Sequence, residues 1–368
     1  MKKTVLIIRW VVGILFIFSG LIKANDTLGL SYKMQEFFEA WGMQSFNGLT
    51  FGLAFLMNLF EIILGIAMIV GFGMELFSWL ILLLIIFFAF LTGYAALSGK
   101  FRSCGCFGDC LPLSPVQSFT KDIVLMILVI IIFFNRKKVQ PLFKRKIISI
   151  SVIILGIVIA TAFQCHTLRH LPLFDCLPYK KGNYLLQQMK VPPGAIPDSS
   201  VVTFKYKKNN KIIEFDAMHF PADFDSTYQY INRYDKLIRK GTATPAISDF
   251  ALLTLSGTDT TQEILQQQNK YILVLAKDFQ NWKFRKTDFD NMVKVAKKNN
   301  LPIFVASPEA TNAKSLFPQN ITLLNLDAVV EKTAARCNPT YFLLEGDHIL
   351  EKKSYTDIDA FTKELNEK

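Results

Sequence analysis

The sequence predicts an α-helical membrane bundle followed by a separate α/β domain, and three observations carry that expectation. The chain of 368 residues is 51% hydrophobic with a positive mean hydropathy, too apolar for a soluble protein and too polar to lie wholly in lipid. Five long apolar runs fall before residue 164, and no later run approaches the ~20 residues that cross a bilayer. From residue 246 onward, short β-rich stretches alternate with amphipathic ones.

The apolar runs cover 5–22, 49–70, 76–97, 115–134 and 147–163. The first has the charged lead "MKK" of a signal peptide, but no small-x-small cleavage site follows, so it is read as retained. The fourth is interrupted by Lys121 and Asp122 and is fully apolar only from 123 to 134. Ser114-Pro115 supplies an N-cap and a proline at the first helical position, so this helix can begin outside the hydrocarbon.

Lys and Arg collect on the cytoplasmic side. Lys2, Lys3 and Arg9 open the first run, and Arg136, Lys137, Lys138, Lys144, Arg145 and Lys146 separate the fourth from the fifth. An even number of crossings lies between the two groups, so both face inward together. The expectation is a multi-pass cell (inner) membrane protein of five spans, N-terminus cytoplasmic, with the C-terminal part extracytoplasmic. Cys104, Cys106, Cys110, Cys165, Cys176 and Cys337 then all face the oxidising side, where disulfides persist. The formal net charge of +11 is largely topological: of 14 basic residues before residue 164, nine are these anchors. The partners this implies are the lipid bilayer and an extracytoplasmic thiol/disulfide protein, and no nucleic acid.

Between the first two spans, Leu28, Leu30, Met34, Phe37, Phe38 and Trp41 form an irregular helical stripe. It suits a helix on the outer interface or one folded back over the bundle; either would roof the cysteine loop. After residue 163 comes a Pro-rich strap without a sustained period, and then "SVVTFKYKKNNKIIEFDAM", two β-rich arms around Asn209-Asn210 that signal a hairpin. Next, "ISDFALLTLSG" reads as a strand pair, "DTTQEILQQQ" as a capped helix, "KYILVLA" as a buried strand, "KTDFDNMVKVAKKNN" as an amphipathic helix and "LPIFVAS" as another buried strand. "NITLLNL", a hairpin turned at Glu345-Gly346-Asp347 and a closing helix near "DIDAFTKELNEK" complete the order.

This tail resembles the thioredoxin-like domains of membrane-tethered redox proteins, with Pro339 at the place of that family's cis-proline. It departs from the pattern where a Cys-x-x-Cys would follow "YILVLA": the residues there are "KDFQNWKF". Only Cys337, in "RCNPT", comes near the expected active end, as a mixed-disulfide former or as a surface cysteine of an inert fold. The expected domains are a four-span bundle (1–135), a basic loop and fifth span (136–163), a strap and β-hairpin region (164–245) and a thioredoxin-like domain (246–368).

"KFRSCGCFGDCLPLSP" places three cysteines within seven residues between two spans. A Cys104–Cys106 bond would close a very small ring, and departure from relaxed geometry makes a disulfide easier to reduce. Gly105 and Gly108 supply the unusual backbone angles such a loop needs. Lys100 and Arg102 upstream favour thiolate at Cys104, and Asp109 opposes it at Cys110. The working pair on these grounds is Cys104 with Cys106, with Cys110 as a third candidate redox cysteine. The same residues admit a quiet staple, Cys104–Cys110 or Cys106–Cys110, with the third thiol free or paired to Cys165 or Cys176. A metal site is the weakest reading, because the spacing is not that of zinc ligands.

The first four spans, with "RWVVGILFIFSGLIKAND", the acidic "NLFEIILG" and "CGCFG", resemble the MauE (methylamine utilisation) and DoxX group of small membrane proteins over about 135 residues. The resemblance implies a four-helix membrane core linked to thiol redox chemistry and to maturation of disulfide-bearing extracytoplasmic partners. It carries over to Cys104 and Cys106 only.

Glu61 lies near mid-span, where an acid is functional or paired. A packing role hydrogen-bonded to Asn58, a salt bridge to Lys23 and a proton or quinone role all stay open. A quinone is the one cofactor that such a role would bring. His166, His170, His219 and His348 share no ligand spacing and read as packing or surface residues. No nucleophile elbow, phosphate loop or zinc-protease motif points to a hydrolase or nucleotide enzyme.

The leading expectation is therefore a membrane thiol-disulfide redox protein or an accessory of that chemistry. The alternatives are a non-catalytic DoxX-type subunit or assembly scaffold of a quinone-linked oxidoreductase, and a solute transporter, for which the spans offer few central polar groups.

Overall fold

Helix α1 (Lys2–Asn25) and helix α3 (Thr50–Val70) pack at close range, and between them in sequence α2 (Thr27–Ala40) folds back over the end of the bundle. A Cβ added at Gly65 would stand 2.7 Å from the Gly13 carbonyl oxygen, so the two backbones meet where neither carries a side chain. Helices α4 (Met74–Ser98), α5 (Pro115–Asn135) and α6 (Lys146–His170) complete the bundle. These five long helices are apolar enough to cross a membrane, and the protein is a multi-pass membrane protein. Its core joins Phe16, Leu64, Met68, Ile81, Ile85 and Val129, while Leu56, Leu83, Phe90 and Ile154 are exposed, as lipid-facing residues are. This computed structural model describes residues 2–101, 104–196, 199–208, 211–216, 219–221, 223–239, 241, 245–280 and 282–367. The expected turn at Asn209-Asn210 and the expected influence of Arg102 on Cys104 lie outside the described residues.

The expected start of the fourth span is present in full. The Ser114 hydroxyl accepts from the Gln117 N–H (3.3 Å), the Gln117 Oε1 accepts from the Ser114 N–H (3.0 Å), and Pro115 follows the cap. The fifth helix runs past the end of its apolar run to His170, since "QCHTLRH" contains no helix breaker.

Residues 183–250 form a compact unit of their own. After a short helix α7 (Leu185–Gln188), strands β1 (Ser199–Lys208), β2 (Lys211–Asp216) and β3 (Gln229–Arg239) make an antiparallel sheet in the order β2-β1-β3. Tyr206, Phe215, Phe224 and Tyr228 pack ring against ring in this unit. The two hairpin arms match the sequence, whereas β3 was not foreseen. Its run "QYINRYDKLIR" is rich in charge and does not alternate cleanly.

The α/β part belongs with the bundle in the other unit, residues 1–182 and 251–368. It comprises β4 (Leu253–Thr254), α8 (Thr261–Leu265), β5 (Lys270–Leu275), α9 (Trp282–Lys298), β6 (Ile303–Ser307), β7 (Thr322–Asn325), α10 (Ala328–Ala334), β8 (Thr340–Glu345), β9 (His348–Ser354) and α11 (Ile358–Glu367). The sheet order is β4-β7-β6-β5-β8-β9, with β5, β6 and β7 parallel and β8 and β9 antiparallel. Ile272, Val274, Phe289, Val305, Leu343 and Phe361 share one core. The Asn338–Pro339 peptide bond is cis. This arrangement is compatible with the thioredoxin-like expectation. The strand pair expected in "ISDFALLTLSG" is corrected: only Leu253 and Thr254 pair with another strand, because neighbouring backbone is satisfied by the following turn. The Leu252 N–H donates to Thr261 Oγ1 (2.7 Å), and its carbonyl accepts from the Thr260 N–H and hydroxyl.

Candidate functional site

The cysteine loop between α4 and α5 is held from three sides. Phe101 is buried and stacks on Phe37 of α2 with ring centroids 4.3 Å apart, and Cys104 packs against the same cluster. A turn closes through the Gly108 N–H on the Gly105 carbonyl (3.1 Å), with both glycines at positive φ. From α1, the Ser19 hydroxyl donates to the Cys106 carbonyl (3.2 Å). Thus α2 does roof the loop, the outcome both readings of its stripe implied.

The structure corrects the expected pairings: Cys110 bonds to Cys176, a pair the sequence had not suggested, and this ties the loop to the segment after α6. None of the three expected bonds within the loop is formed, and Cys104 and Cys106 are half-buried free thiols. The expected activation of Cys104 by Lys100 is corrected. Burial pushes the Cys104 thiol up to about 11, and the neighbouring Cys106 adds to that, outweighing Lys33 of α2, the cation that faces it. Sequence proximity misled here because the exposed Lys100 is not among the leading charges acting on the thiol, whereas Lys33 of α2 is. Burial also raises the Cys106 thiol, against the opposing charges of Lys121 and Lys23. Ser118 is fully buried and its hydroxyl favours thiolate at both positions.

Behind Cys106 lies a buried group of charges. Lys23 of α1 forms an ion pair with Glu61 of α3, both almost wholly buried. Lys121 and the fully buried Asp122, both of α5, lie 2.6 Å apart, and Asp122 accepts from the Thr92 hydroxyl of α4 (3.0 Å). Two cavities of about 60 and about 40 Å³ share Ser19, Phe88 and Lys121; the first reaches Cys104 and Cys106, the second Glu61 and Asp122. Each has room for water molecules. The bond expected between Asn58 and Glu61 is not made. Asn58 donates instead to Gln164 (3.2 Å) and Thr27 (3.4 Å), a polar network joining α2, α3 and α6, which leaves the Lys23 salt bridge as the partner of Glu61. Lys121 and Asp122 were read only as a weakness of the fourth span; an adjacent charged pair within a span was itself the signal.

The proline loop of the α/β domain meets this region through Arg336. Its Nε donates to both oxygens of Asp26 (3.0 and 2.9 Å), the residue that caps α2, and Nη2 donates to Asp109 of the cysteine loop (3.1 Å). Burial opposes the charge, but Asp26 and Asp109 more than offset it and hold the guanidinium's pKa above its ordinary value. Asp109 is thus engaged by Arg336, and Cys110, expected to feel its charge as a thiol, is bound in the disulfide. Cys337 is corrected as well. It is buried, at 6% exposure; its thiol donates to the Leu168 carbonyl of α6 (3.3 Å), and burial pushes it up to about 11. Asn338 occupies the place opposite the absent dithiol, accepting from the Lys277 N–H (3.1 Å) and donating to the Asp278 carbonyl (3.2 Å). His166 stacks on His170, whose Nδ1 lies 2.9 Å from Asp357 Oδ1, and His219 meets Asp216, so these histidines pack locally.

Residues 1–135 match the family described as methylamine utilisation protein MauE, and residues 200–240 match a domain of unknown function, DUF8463. Among curated proteins, Protein TlpB of Flavobacterium psychrophilum is 32% identical over 103 residues, which is 28% of this chain and 24% of the relative. The chain therefore spans about a quarter of the length of that relative. No solved structure matches.

Proposed function

We propose that this protein is a membrane accessory of thiol-disulfide chemistry, in which Cys104 and Cys106 exchange disulfides with an extracytoplasmic protein. The observation that carries this reading is a division of labour within one loop. Cys110 is committed to a bond with Cys176, while two cysteines a single glycine apart remain as thiols. The MauE match over 1–135 and its resemblance-based link to maturation of disulfide-bearing partners support the same reading. In this proposal the loop and the α/β domain lie outside the membrane, on the strength of the two basic clusters. The α/β domain, without a dithiol of its own, holds and presents rather than carries electrons.

One observation favours the second reading, a non-catalytic subunit or scaffold: burial keeps both thiols protonated in the arrangement described. Partner trapping separates the two. With Cys104→Ser or Cys106→Ser in native membranes, the remaining loop thiol is expected to accumulate a reducible mixed disulfide with an extracytoplasmic protein, since resolution needs the second cysteine. Absence of any mixed disulfide in both variants, with the protein inserted and Cys110–Cys176 intact, would favour the scaffold.

A further inference from the structure

We infer that Lys121 makes Cys106, not Cys104, the attacking thiol of the pair. The inference rests on the redox reading of the loop and assigns the order of its two cysteines. Four features of the geometry support it. Lys121 is only 25% exposed, and its Nζ lies 5.1 Å from the centre of the Phe107 ring, directly after Cys106 in the chain. The cavity that Cys106 and Cys104 both line is bordered by Lys121 of α5 and Lys23 of α1, and of these Lys121 acts more strongly on Cys106. The Ser19 bond to the Cys106 carbonyl holds that residue against the bundle. Cys104, by contrast, packs among Phe37, Phe101 and Ala95, in an apolar cluster.

The charged and titratable groups around Cys106 are Lys121 and Asp122 of α5, Lys23 of α1, Lys33 of α2 and Cys104 of its own loop. Each cation has an acid partner: Lys23 pairs with Glu61, Lys33 with Glu36 and Lys121 with Asp122. Among them Lys121 is the charge that acts most strongly on the Cys106 thiol. An ammonium beside a thiol lowers the cost of ionisation in a site where burial raises it.

The step balances without a further reactant. Cys106 loses its proton to solvent, and the thiolate attacks one sulfur of the partner's disulfide; the mixed S–S bond forms as the partner's bond breaks, and the leaving thiolate takes a proton. Cys104 then loses its proton and attacks the Cys106 sulfur, which closes the loop disulfide and releases the second partner thiol. The partner gains two electrons and two protons, and the loop loses the same. The reverse sequence oxidises a partner dithiol.

The test needs no partner, so its failure is distinct from failure of the redox reading. Full-length Cys104→Ser and Cys106→Ser proteins, in membrane vesicles, are alkylated with iodoacetamide from pH 7 to 10, and the remaining loop cysteine is quantified by peptide mass spectrometry. Cys106 is expected to react faster than Cys104 at every pH below 9. Lys121→Gln is expected to slow Cys106 about tenfold at pH 8, the equivalent of about one pKa unit, and to move its profile upward, while Lys121→Arg stays near the parent. Cys104 should change by less than about twofold, since the cation acting most strongly on it is Lys33, not Lys121. A faster Cys104, or a Cys106 rate indifferent to Lys121→Gln, would overturn the assignment. If Lys121→Gln does not accumulate, the rate order of the two serine variants with Lys121 in place decides in the same way.

Discussion

Glu331, on α10, shows what burial does to a single acid in this fold. Its side chain is almost wholly buried, at 2% exposure, and burial raises its carboxyl to about 7, with Lys277 and Lys332 opposing. A carboxyl raised in the folded state leaves the fold fully stable below its unfolded value, near 4.5, and costs stability as pH climbs through about 7. Glu331→Gln removes that cost. The variant should unfold at a higher temperature than the parent at pH 8 and near the same temperature at pH 5, read by thermal melts of detergent-solubilised protein; an equal shift at both pH values would contradict it. Helix α10 itself went unforeseen, and the burial of Glu331 depends on neighbours that meet it only after folding. Cys104 and Cys106, by contrast, stand out in the sequence by spacing alone. What spacing could not supply was their electrical surroundings, since Lys121, Lys23 and Ser118 come from helices distant in sequence.

At the scale of elements, the periods and caps were legible and the joints were not. The apolar runs, the Ser114-Pro115 start and the hairpin at Gly346 follow from local chemistry, and each appears where local chemistry puts it. The joints depend on residues that meet only after folding. Arg336 is the clearest case: buried itself, it joins α10, Asp26 at the start of α2 and the exposed Asp109 of the cysteine loop into one charge network. Removing it leaves the largely buried Asp26 without its cation, which is destabilising. Arg336→Leu should therefore loosen the proline loop from the bundle and expose Cys337. The check is alkylation of Cys337 in membranes: slow in the parent, where the thiol is buried on the Leu168 carbonyl, and faster by about tenfold or more in the variant. An unchanged rate would mean that Lys352–Asp175, the Thr356–Arg169 bond and the neighbouring contacts hold the joint without Arg336.

For the whole molecule, the Arg336 network holds an α/β domain without a dithiol against a membrane bundle whose cysteine loop carries two free thiols beside the Cys110–Cys176 bond. This architecture suits a fixed receiving site and not a domain that swings with its own redox pair. The bundle's buried charges sit behind that site, where a soluble domain of this size would have placed only apolar side chains. On the proposed function, one loop holds a structural disulfide and a separate working pair. Differential alkylation of intact membranes tests this: free thiols are blocked, the membranes are exposed to a graded glutathione buffer, and newly exposed thiols are tagged and located by mass spectrometry. Cys104 and Cys106 are expected to pass together between dithiol and disulfide across the series, while Cys110–Cys176 stays oxidised throughout. Cys104 and Cys106 fixed as thiols at every potential, with Cys110 and Cys176 opening and closing instead, would contradict it.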